Sequence, residues 1–206
     1  AALTMNVSMT ALQNQLAQQS SALTPAQRAE VDAHPARAAE ALRAAGVTDA
    51  VWLEAVLHHH DAPPGPLAEL APAVRLARLI RRADVFAARM SPRRGRKALS
   101  ATAASKAAYF DERQQPDEAG SAIIKATGIY PPGSFVRLAS DEVAVVLRRG
   151  TRANEPLVAS VLSRAGTLLG EPTLRDTHQS KHAVKAGVAP QDVKLRLNLE
   201  RLLTLL

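Results

Sequence analysis

The apolar residues of this chain are almost all aliphatic, which restricts the kind of core that it can build. Hydrophobic residues make up 47% of the 206 residues, whereas aromatic residues make up only 3%. A core assembled from Ala, Leu and Val favours packed helices, because alanine and leucine are among the best helix formers. Proteins that bind single-stranded nucleic acid stack the bases on aromatic side chains, so the composition argues against that class.

The absence of cysteine excludes disulfide scaffolds, thiolate zinc sites and cysteine nucleophiles. No apolar run approaches the roughly 20 residues that a membrane span needs, and the N-terminal residues lack the pattern of a secretory signal. We therefore expect a cytoplasmic protein without membrane contact. Because the chain starts at Ala1 and Met5 lies within an apolar pattern, we also expect further sequence upstream, such as a regulatory domain.

Positive charge is concentrated in one stretch of the chain. The 26 Lys and Arg residues exceed the 19 Asp and Glu residues, for a net charge of +7. Between Arg75 and Lys106 ten basic residues accompany one acid, Asp84, so this basic block carries +9. Such a block attracts phosphate-rich or other anionic partners, and one hypothesis is that it binds DNA. No helix-turn-helix or zinc module is recognisable, so we rank nucleic acid last among the partners.

Turn and capping residues divide the first 128 residues into helices. Thr24-Pro25-Ala26-Gln27 is a capping box with proline at the first helical position, so a helix begins there. His34-Pro35 is predicted to interrupt it, since proline disfavours helical geometry in the preceding residue. The remaining breaks predict further helices over about 35–45, 49–60, 67–90, 96–111 and 116–127.

After Gly128 the pattern changes to short strands. Three runs, 135–139, 142–148 and 157–162, predict a small antiparallel β meander packed on the helices. Residues 171–188 are polar and irregular, and residues 192–206 fit either a strand or a helix. The expected fold is mainly α with a small meander after it. We divide the chain into a helical domain (1–128), a β subdomain (129–170) and a C-terminal extension (171–206).

Helical geometry separates the three consecutive histidines. With Val56 at the centre of the apolar face, His59 and His60 point to the interior and His58 points to solvent. The same projection places Asp84 at the edge of the apolar stripe of the long helix. Imidazole plus carboxylate suits zinc, iron or manganese, so these residues are candidate metal ligands. Alternatively, the histidines are hydrogen-bonded core residues and the aspartate pairs with an arginine or caps a helix.

Four arginines of the basic block share one side of the predicted 67–90 helix. Arg75, Arg78, Arg82 and Arg89 lie away from Asp84 in the helical projection. We interpret this side as a solvated helix surface. Only residues 93–97, beyond the helix end, are then expected to reach a ligand on the metal side.

Five motifs in order resemble the HD-GYP family, bacterial metal-dependent phosphodiesterases of the HD superfamily that hydrolyse cyclic di-GMP. The motifs are Leu23-Thr24-Pro25 with His34-Pro35, then residues 56–61, 83–88, 91–99 and 128–134. The similarity covers about residues 1–165. It implies that the helical part is an HD-domain bundle.

The resemblance assigns metal-binding roles to four residues. His34 corresponds to the family's His-Pro ligand, and His59 and His60 correspond to its His-His pair. Asp84 matches the aspartate that closes the metal site, whereas Asp61 stands where the family has Glu. The implied cofactor is iron or manganese, as one ion or none.

The basic residues after the long helix match a segment that resembles a phosphate-binding edge in the family. Arg93, Arg96 and Lys97 fall in this segment. Their ionic and bidentate donors suit a phosphodiester anion. The implied ligand is cyclic di-GMP or a related phosphodiester.

Two defining motifs of the family are degenerate here. Met5 and Asn6 stand on the positions of its His-Asp dyad, and Met9 stands where a lysine is expected. Methionine is a poor ligand for hard, oxygen-preferring metals, and the neutral Asn6 lacks the charge of a bridging carboxylate. The Gly-Tyr-Pro loop is replaced by the shorter segment 62–66, which has no tyrosine.

The resemblance and its departures predict a degenerate module in cyclic di-GMP signalling. Its role is regulatory or sensing, with weak or no hydrolysis. The alternative is an active metal-dependent phosphodiesterase with a reduced metal site, in which bound metal generates hydroxide at neutral pH.

Overall fold

Helices build the first part of the molecule and an antiparallel sheet builds the second. The computed structural model describes residues 1–61, 63, 65–111 and 113–206. Within these residues the N-terminal part contains six α-helices: α1 (Thr10–Gln18), α2 (Pro25–Ala44), α3 (Ala50–Leu57), α4 (Pro72–Met90), α5 (Ala101–Tyr109) and α6 (Glu118–Thr127). None of the described helices combines the length and the hydropathy that a bilayer crossing requires.

Helix ends differ from the prediction near the proline-rich segment between α3 and α4. The third helix stops at Leu57, three residues before the predicted end, and residues 58–60 form a turn. Residues Leu67–Glu69 form a 3-10 turn, and α4 starts only at Pro72. Of the segment 62–66, which the resemblance compares with a Gly-Tyr-Pro loop, Ala62 and Pro64 lie outside the described residues.

Helix α2 begins where the sequence predicts and continues through the predicted break. The Thr24 hydroxyl accepts the Gln27 N–H, and the Gln27 side chain accepts the Thr24 N–H, so the capping box is confirmed. The predicted interruption at His34-Pro35 is wrong, because α2 contains both residues. Proline lacks the N–H that would bond to the Val31 carbonyl, but Nδ1 of His34 lies 2.6 Å from that oxygen. The imidazole therefore supplies the donor that proline lacks.

Five antiparallel strands form one sheet within the described residues, in the order β4-β3-β2-β1-β5. They are β1 (Phe135–Leu138), β2 (Val143–Arg148), β3 (Leu157–Leu162), β4 (Leu168–Asp176) and β5 (Val184–Val188). The first three lie where the sequence predicts them. With 45% helix and 17% strand, the chain has a mixed α/β fold, so the prediction of a mainly α fold with a small meander is wrong.

The two unpredicted strands lie at the edges of the sheet. Most residues of β4 are exposed, and β5 has no buried residue. An edge strand has one row of backbone groups and much of its side-chain surface in water. The polar residues of β4 agree with this position, and the predicted irregular stretch over residues 171–188 is instead largely strand.

Core residues cover both faces of the three central strands. One face packs on the helical part and forms a core cluster of seven buried residues: Ala101, Tyr130, Val136, Leu138, Ala144, Val146 and Val158. The other face is covered by the C-terminal residues, among them Val193 and Leu202. These residues run irregularly to Asn198 and end in a short helix, α7 (Leu199–Leu203). The C-terminal segment thus covers the second face of the sheet.

The side of α4 that was interpreted as solvated is partly buried. Arg78 and Arg82 expose 7% and 2% of their surface, and both pair with Asp117, which exposes 1%. Nε of Arg82 lies 2.8 Å from Oδ2 of Asp117, and Nη2 of Arg78 lies 3.2 Å from Oδ1. The interpretation is wrong for these two arginines. Their carboxylate partner lies 35 residues from Arg82 and 39 residues from Arg78 in sequence, so a projection of α4 alone does not include it. The Arg78–Arg82–Asp117 cluster ties α4 to the N-terminus of α6.

Candidate metal centre

The first histidine of the candidate site is held on α2 by the helix itself. His34 exposes only 2% of its surface, and its Nδ1 contacts the Val31 carbonyl at 2.6 Å. A carbonyl oxygen can only accept, so Nδ1 carries the proton. In the neutral ring Nε2 then presents a lone pair.

The second histidine repeats this arrangement in the turn after α3. His59 exposes 1% of its surface, and its Nδ1 lies 2.6 Å from the Val56 carbonyl. The same reasoning places the proton on Nδ1 and the lone pair on Nε2. Metal-binding histidines commonly have one nitrogen oriented in this way by a backbone carbonyl.

The two lone pairs face each other across a short gap. Nε2 of His34 lies 3.1 Å from Nε2 of His59. Either a shared proton or a cation must occupy this gap, because two nitrogen lone pairs repel at that distance. Burial lowers the pKa of His59, although its bond to Val56 acts in the opposite direction, so a proton here is disfavoured at neutral pH.

The third histidine completes a ring of three imidazoles. Ligand nitrogens of His34, His59 and His60 all lie within 4.8 Å of one another. Burial lowers the pKa of His60 to about 4, helped by the charges of His59 and His34. His59 and His60 are therefore neutral at pH 7, which is the state that binds a metal. His58 is exposed and pairs with Asp61 at 2.7 Å, as an outward residue should.

Asp84 is near the histidines but outside their cluster. It is half-buried on α4, and its charge acts to raise the pKa of His59 against the effect of burial. Among the described residues, the group whose ligand atoms converge contains the three histidines and not Asp84. The structure thus brings together three of the four residues that the resemblance assigns to the metal.

The N-terminal segment that carries Met5 and Asn6, the positions that the resemblance compares with a His-Asp dyad, leads into a turn that contacts α2. Met5 and Asn6 precede a 3-10 turn at Val7–Met9, and the Ser8 hydroxyl donates to the His34 carbonyl at 2.9 Å. The N-terminal segment therefore packs against the part of α2 that carries the candidate ligand. Neither Met5 nor Asn6 provides an ionised ligand there.

The basic segment after α4 occupies another part of the surface. Arg96 donates to the Ala88 carbonyl, and burial lowers its pKa; Arg93 forms a backbone bridge with it. A cavity of about 650 Å³ opens beside His60, and its described lining residues are His58, His60, Asp61, Pro63 and Val74. Arg93, Arg96 and Lys97 are not among them.

Sequence reasoning missed the backbone groups that orient the ligands. Both buried histidines follow a valine three residues earlier, whose carbonyl accepts from Nδ1. At His34 the sequence contains a signal, since Pro35 leaves the Val31 carbonyl without its helical donor. At His59 no such signal exists, because the contact depends on the turn after α3.

Comparison with protein-family models, curated proteins and solved structures finds no match for this chain. The resemblance to the HD-GYP family therefore rests on the five motifs. The three-histidine cluster rests on the geometry alone and is independent of the resemblance.

Proposed function

We propose that this chain binds one divalent metal ion through His34, His59 and His60. The observation that carries the proposal is the 3.1 Å approach of two Nε2 atoms whose Nδ1 protons are both engaged by backbone carbonyls. A buried polar atom without a partner is costly, and a metal ion satisfies both lone pairs at once. The third imidazole, His60, supplies a further neutral donor.

The charge of the cluster favours one ion over several. Histidine side chains bring no negative charge, and a second dication close by would be repelled without a bridging carboxylate. Asp84 is the nearest candidate for partial compensation from α4. Iron or manganese is the metal that the resemblance implies, and a nitrogen-rich site of this kind also suits zinc.

We propose further that this centre belongs to a degenerate HD-GYP-like module in cyclic di-GMP signalling, with a regulatory or sensing role and weak or no hydrolysis. The ordered motifs support the family, and the uncharged Met5 and Asn6 at the dyad positions support the loss of activity. The partner expected is cyclic di-GMP or a related phosphodiester.

One observation favours the alternative of an active phosphodiesterase. The cavity of about 650 Å³ reaches His60 from solvent, so water and a phosphodiester have a route to a metal held there. A bound ion lowers the pKa of its water and neutralises charge on the phosphoryl oxygens. DNA binding has weaker support, because Arg78 and Arg82 of the basic block are buried against Asp117.

Metal analysis tests the first proposal. The protein is stripped with chelator, reloaded with Mn²⁺, Fe²⁺ or Zn²⁺, desalted and measured by elemental analysis. We expect one ion per chain in the wild type and in the exposed control His58→Ala, and none in His34→Gln/His60→Gln. Equal metal content in the double variant and the wild type would refute the site.

Measurements of ligand binding and hydrolysis distinguish a regulatory module from an active phosphodiesterase. Equilibrium dialysis with labelled cyclic di-GMP should show binding, while chromatography of the mixture with metal-loaded protein should show little linear product. Product formed well above the level of the His34→Gln/His60→Gln variant establishes the phosphodiesterase instead. Restoring Met5→His and Asn6→Asp should increase metal content if only the dyad has been lost.

A further inference from the structure

Another cavity of the described structure opens at the sheet. It is a groove of about 910 Å³ between the start of α5, the face of the sheet and the β3–β4 turn. None of the six histidines lines it. Its volume falls within the range of about 300–1,000 Å³ that is usual for small-molecule sites.

A row of paired residues across four strands forms the floor of the groove. Leu162 of β3 is opposite Val143 of β2, Val143 is opposite Arg137 of β1, and Arg137 is opposite Ala186 of β5. Residues opposite one another in a sheet share a face. Arg137 thus lies in the middle of an otherwise apolar row, and its side chain is exposed.

Three cations line the groove: Lys97, Arg137 and Arg164. Within the described residues, Lys97, Arg137 and Arg164 form no ion pair with a carboxylate, and the contact found for Arg137 is to the backbone carbonyl of Asp141. The carboxylate of Asp141 is already paired with Lys185 at 3.0 Å. This situation contrasts with Arg78 and Arg82, whose charges are neutralised in the interior.

Arg137 and Arg164 both act on one nearby carboxylate, that of Asp141. The hydrogen bond from Lys185 lowers the pKa of Asp141, and the charges of Arg164 and Arg137 act in the same direction. Arg137 of β1 and Arg164 of the β3–β4 turn both also line the groove.

We propose that this groove binds a phosphate monoester of nucleotide size. Three cations against one lining carboxylate, Asp192, leave a local charge of about +2, which matches the charge of roughly −2 on a phosphate monoester at neutral pH. Arginine binds phosphate oxygens through paired N–H groups. The apolar residues on either side of Arg137 offer contact area for the ring of a nucleotide, and inorganic phosphate has no group that could use it.

The groove changes the interpretation of one sequence-predicted residue. Lys97 was expected to form a phosphate edge beside the metal, but it lines this groove instead. The proposal is independent of the metal centre, since it uses no histidine and no bound ion. A ligand in the groove would contact both β5 and the loop before α5. The Gln191 side chain, which follows β5, already donates to the Ala98 carbonyl of that loop at 3.0 Å.

Isothermal titration of the full chain with adenosine monophosphate tests the proposal. We expect one site per chain, affinity that falls with salt, and much weaker binding of adenosine and of inorganic phosphate. Arg137→Gln and Arg164→Gln should each lower the affinity at least tenfold. The matched control Lys125→Gln, on the exposed surface of α6, should stay within twofold of the wild type.

Each other outcome overturns the proposal. Absence of binding, or equal affinity for adenosine, removes the phosphate assignment. Unchanged affinity in both arginine variants, or an equal loss in Lys125→Gln, shows that binding is elsewhere or reflects overall charge. Affinity that disappears in chelator-treated protein assigns the nucleotide to the metal centre. Because Arg164 lies in an exposed turn, its variant remains informative if Arg137→Gln is less stable.

Discussion

Replacing Asp117 by asparagine should be among the most destabilising single changes of a polar residue in this chain. Burial alone would raise the pKa of Asp117, but the hydrogen bond from the Ala119 N–H and the guanidinium groups of Arg78 and Arg82 hold it below the usual range. The side chain is therefore ionised at pH 7. Asparagine has the same shape but removes the charge that neutralises two buried arginines.

The expected cost follows from what asparagine keeps and what it loses. Asparagine caps helices as well as aspartate does, so the bond from the Ala119 N–H to Oδ1, 2.7 Å long, is retained. Removal of one partner from a buried ion pair costs about 3–5 kcal/mol. Because the amide still offers one neutral acceptor to the arginines, we expect the lower end of this range, about 3 kcal/mol.

Urea denaturation followed by circular dichroism measures this change. With an m-value of about 2 kcal/mol/M, a loss of about 3 kcal/mol moves the unfolding midpoint down by about 1.5 M. Asp141→Asn is the matched control: it removes the same charge from an exposed pair with Lys185, and exposed pairs contribute little. Its midpoint should remain that of the wild type.

Two results would refute the reasoning. If Asp117→Asn lowers the free energy of unfolding by less than about 1 kcal/mol, the buried pair does not carry the cost assigned to breaking it. If Asp141→Asn shifts the midpoint as much as Asp117→Asn does, net charge rather than burial determines the effect. A changed m-value in the variant would indicate instead that the transition is no longer the same one.

Three further predictions concern the histidines and the helix packing. Burial and the neighbouring histidines lower the pKa of His60 to about 4. The free energy of unfolding of the metal-free protein should therefore be highest above about pH 6.5 and should fall as the pH drops towards 4, and His60→Gln should reduce this pH dependence. Pro35→Ala restores a backbone donor that competes with His34, so the melting temperature should rise while metal affinity falls about tenfold. Gly120→Ala places a Cβ 2.1 Å from a carbonyl of α5, and should cost about 1–3 kcal/mol in urea denaturation, whereas Gly170→Ala, with open space around it, should not.

Opposite results would contradict each of these arguments separately. An unchanged pH slope in His60→Gln would show that other groups titrate in that window. Tighter metal binding by Pro35→Ala would show that the carbonyl of residue 31 does not orient the imidazole. Equal stability of the two glycine variants would mean that α5 and α6 can separate without cost.

The sequence predicts local features of the fold well and long-range ones poorly. The capping box at Thr24 and the first three strands depend on residues that are neighbours in sequence. The continuous path of α2 through Pro35 depends on a side-chain donor one turn away, which proline rules do not include. The burial of Arg78 depends on an aspartate 39 residues further along the chain, and no helical projection contains that information.

The candidate site divides in the same way. The inward direction of His59 and His60 follows from the period of the apolar residues, although the segment is a turn and not the predicted helix. The meeting of His34 with His59, 25 residues apart, follows from the packing of α2 on α3 and was supplied only by the resemblance. The place of Lys97 in a groove on the sheet was not visible from either source.

The last strand in the chain is the neighbour of the first strand of the sheet. When β1 leaves the ribosome it can pair with β2, but its other edge stays open until β5, more than 40 residues later, has been synthesised. The valine-rich face of the sheet stays uncovered for longer, until the C-terminal segment that packs on it has been synthesised. During translation the nascent sheet therefore exposes an edge and a face that promote aggregation, and premature termination before residue 184 would produce a fragment that depends on chaperones.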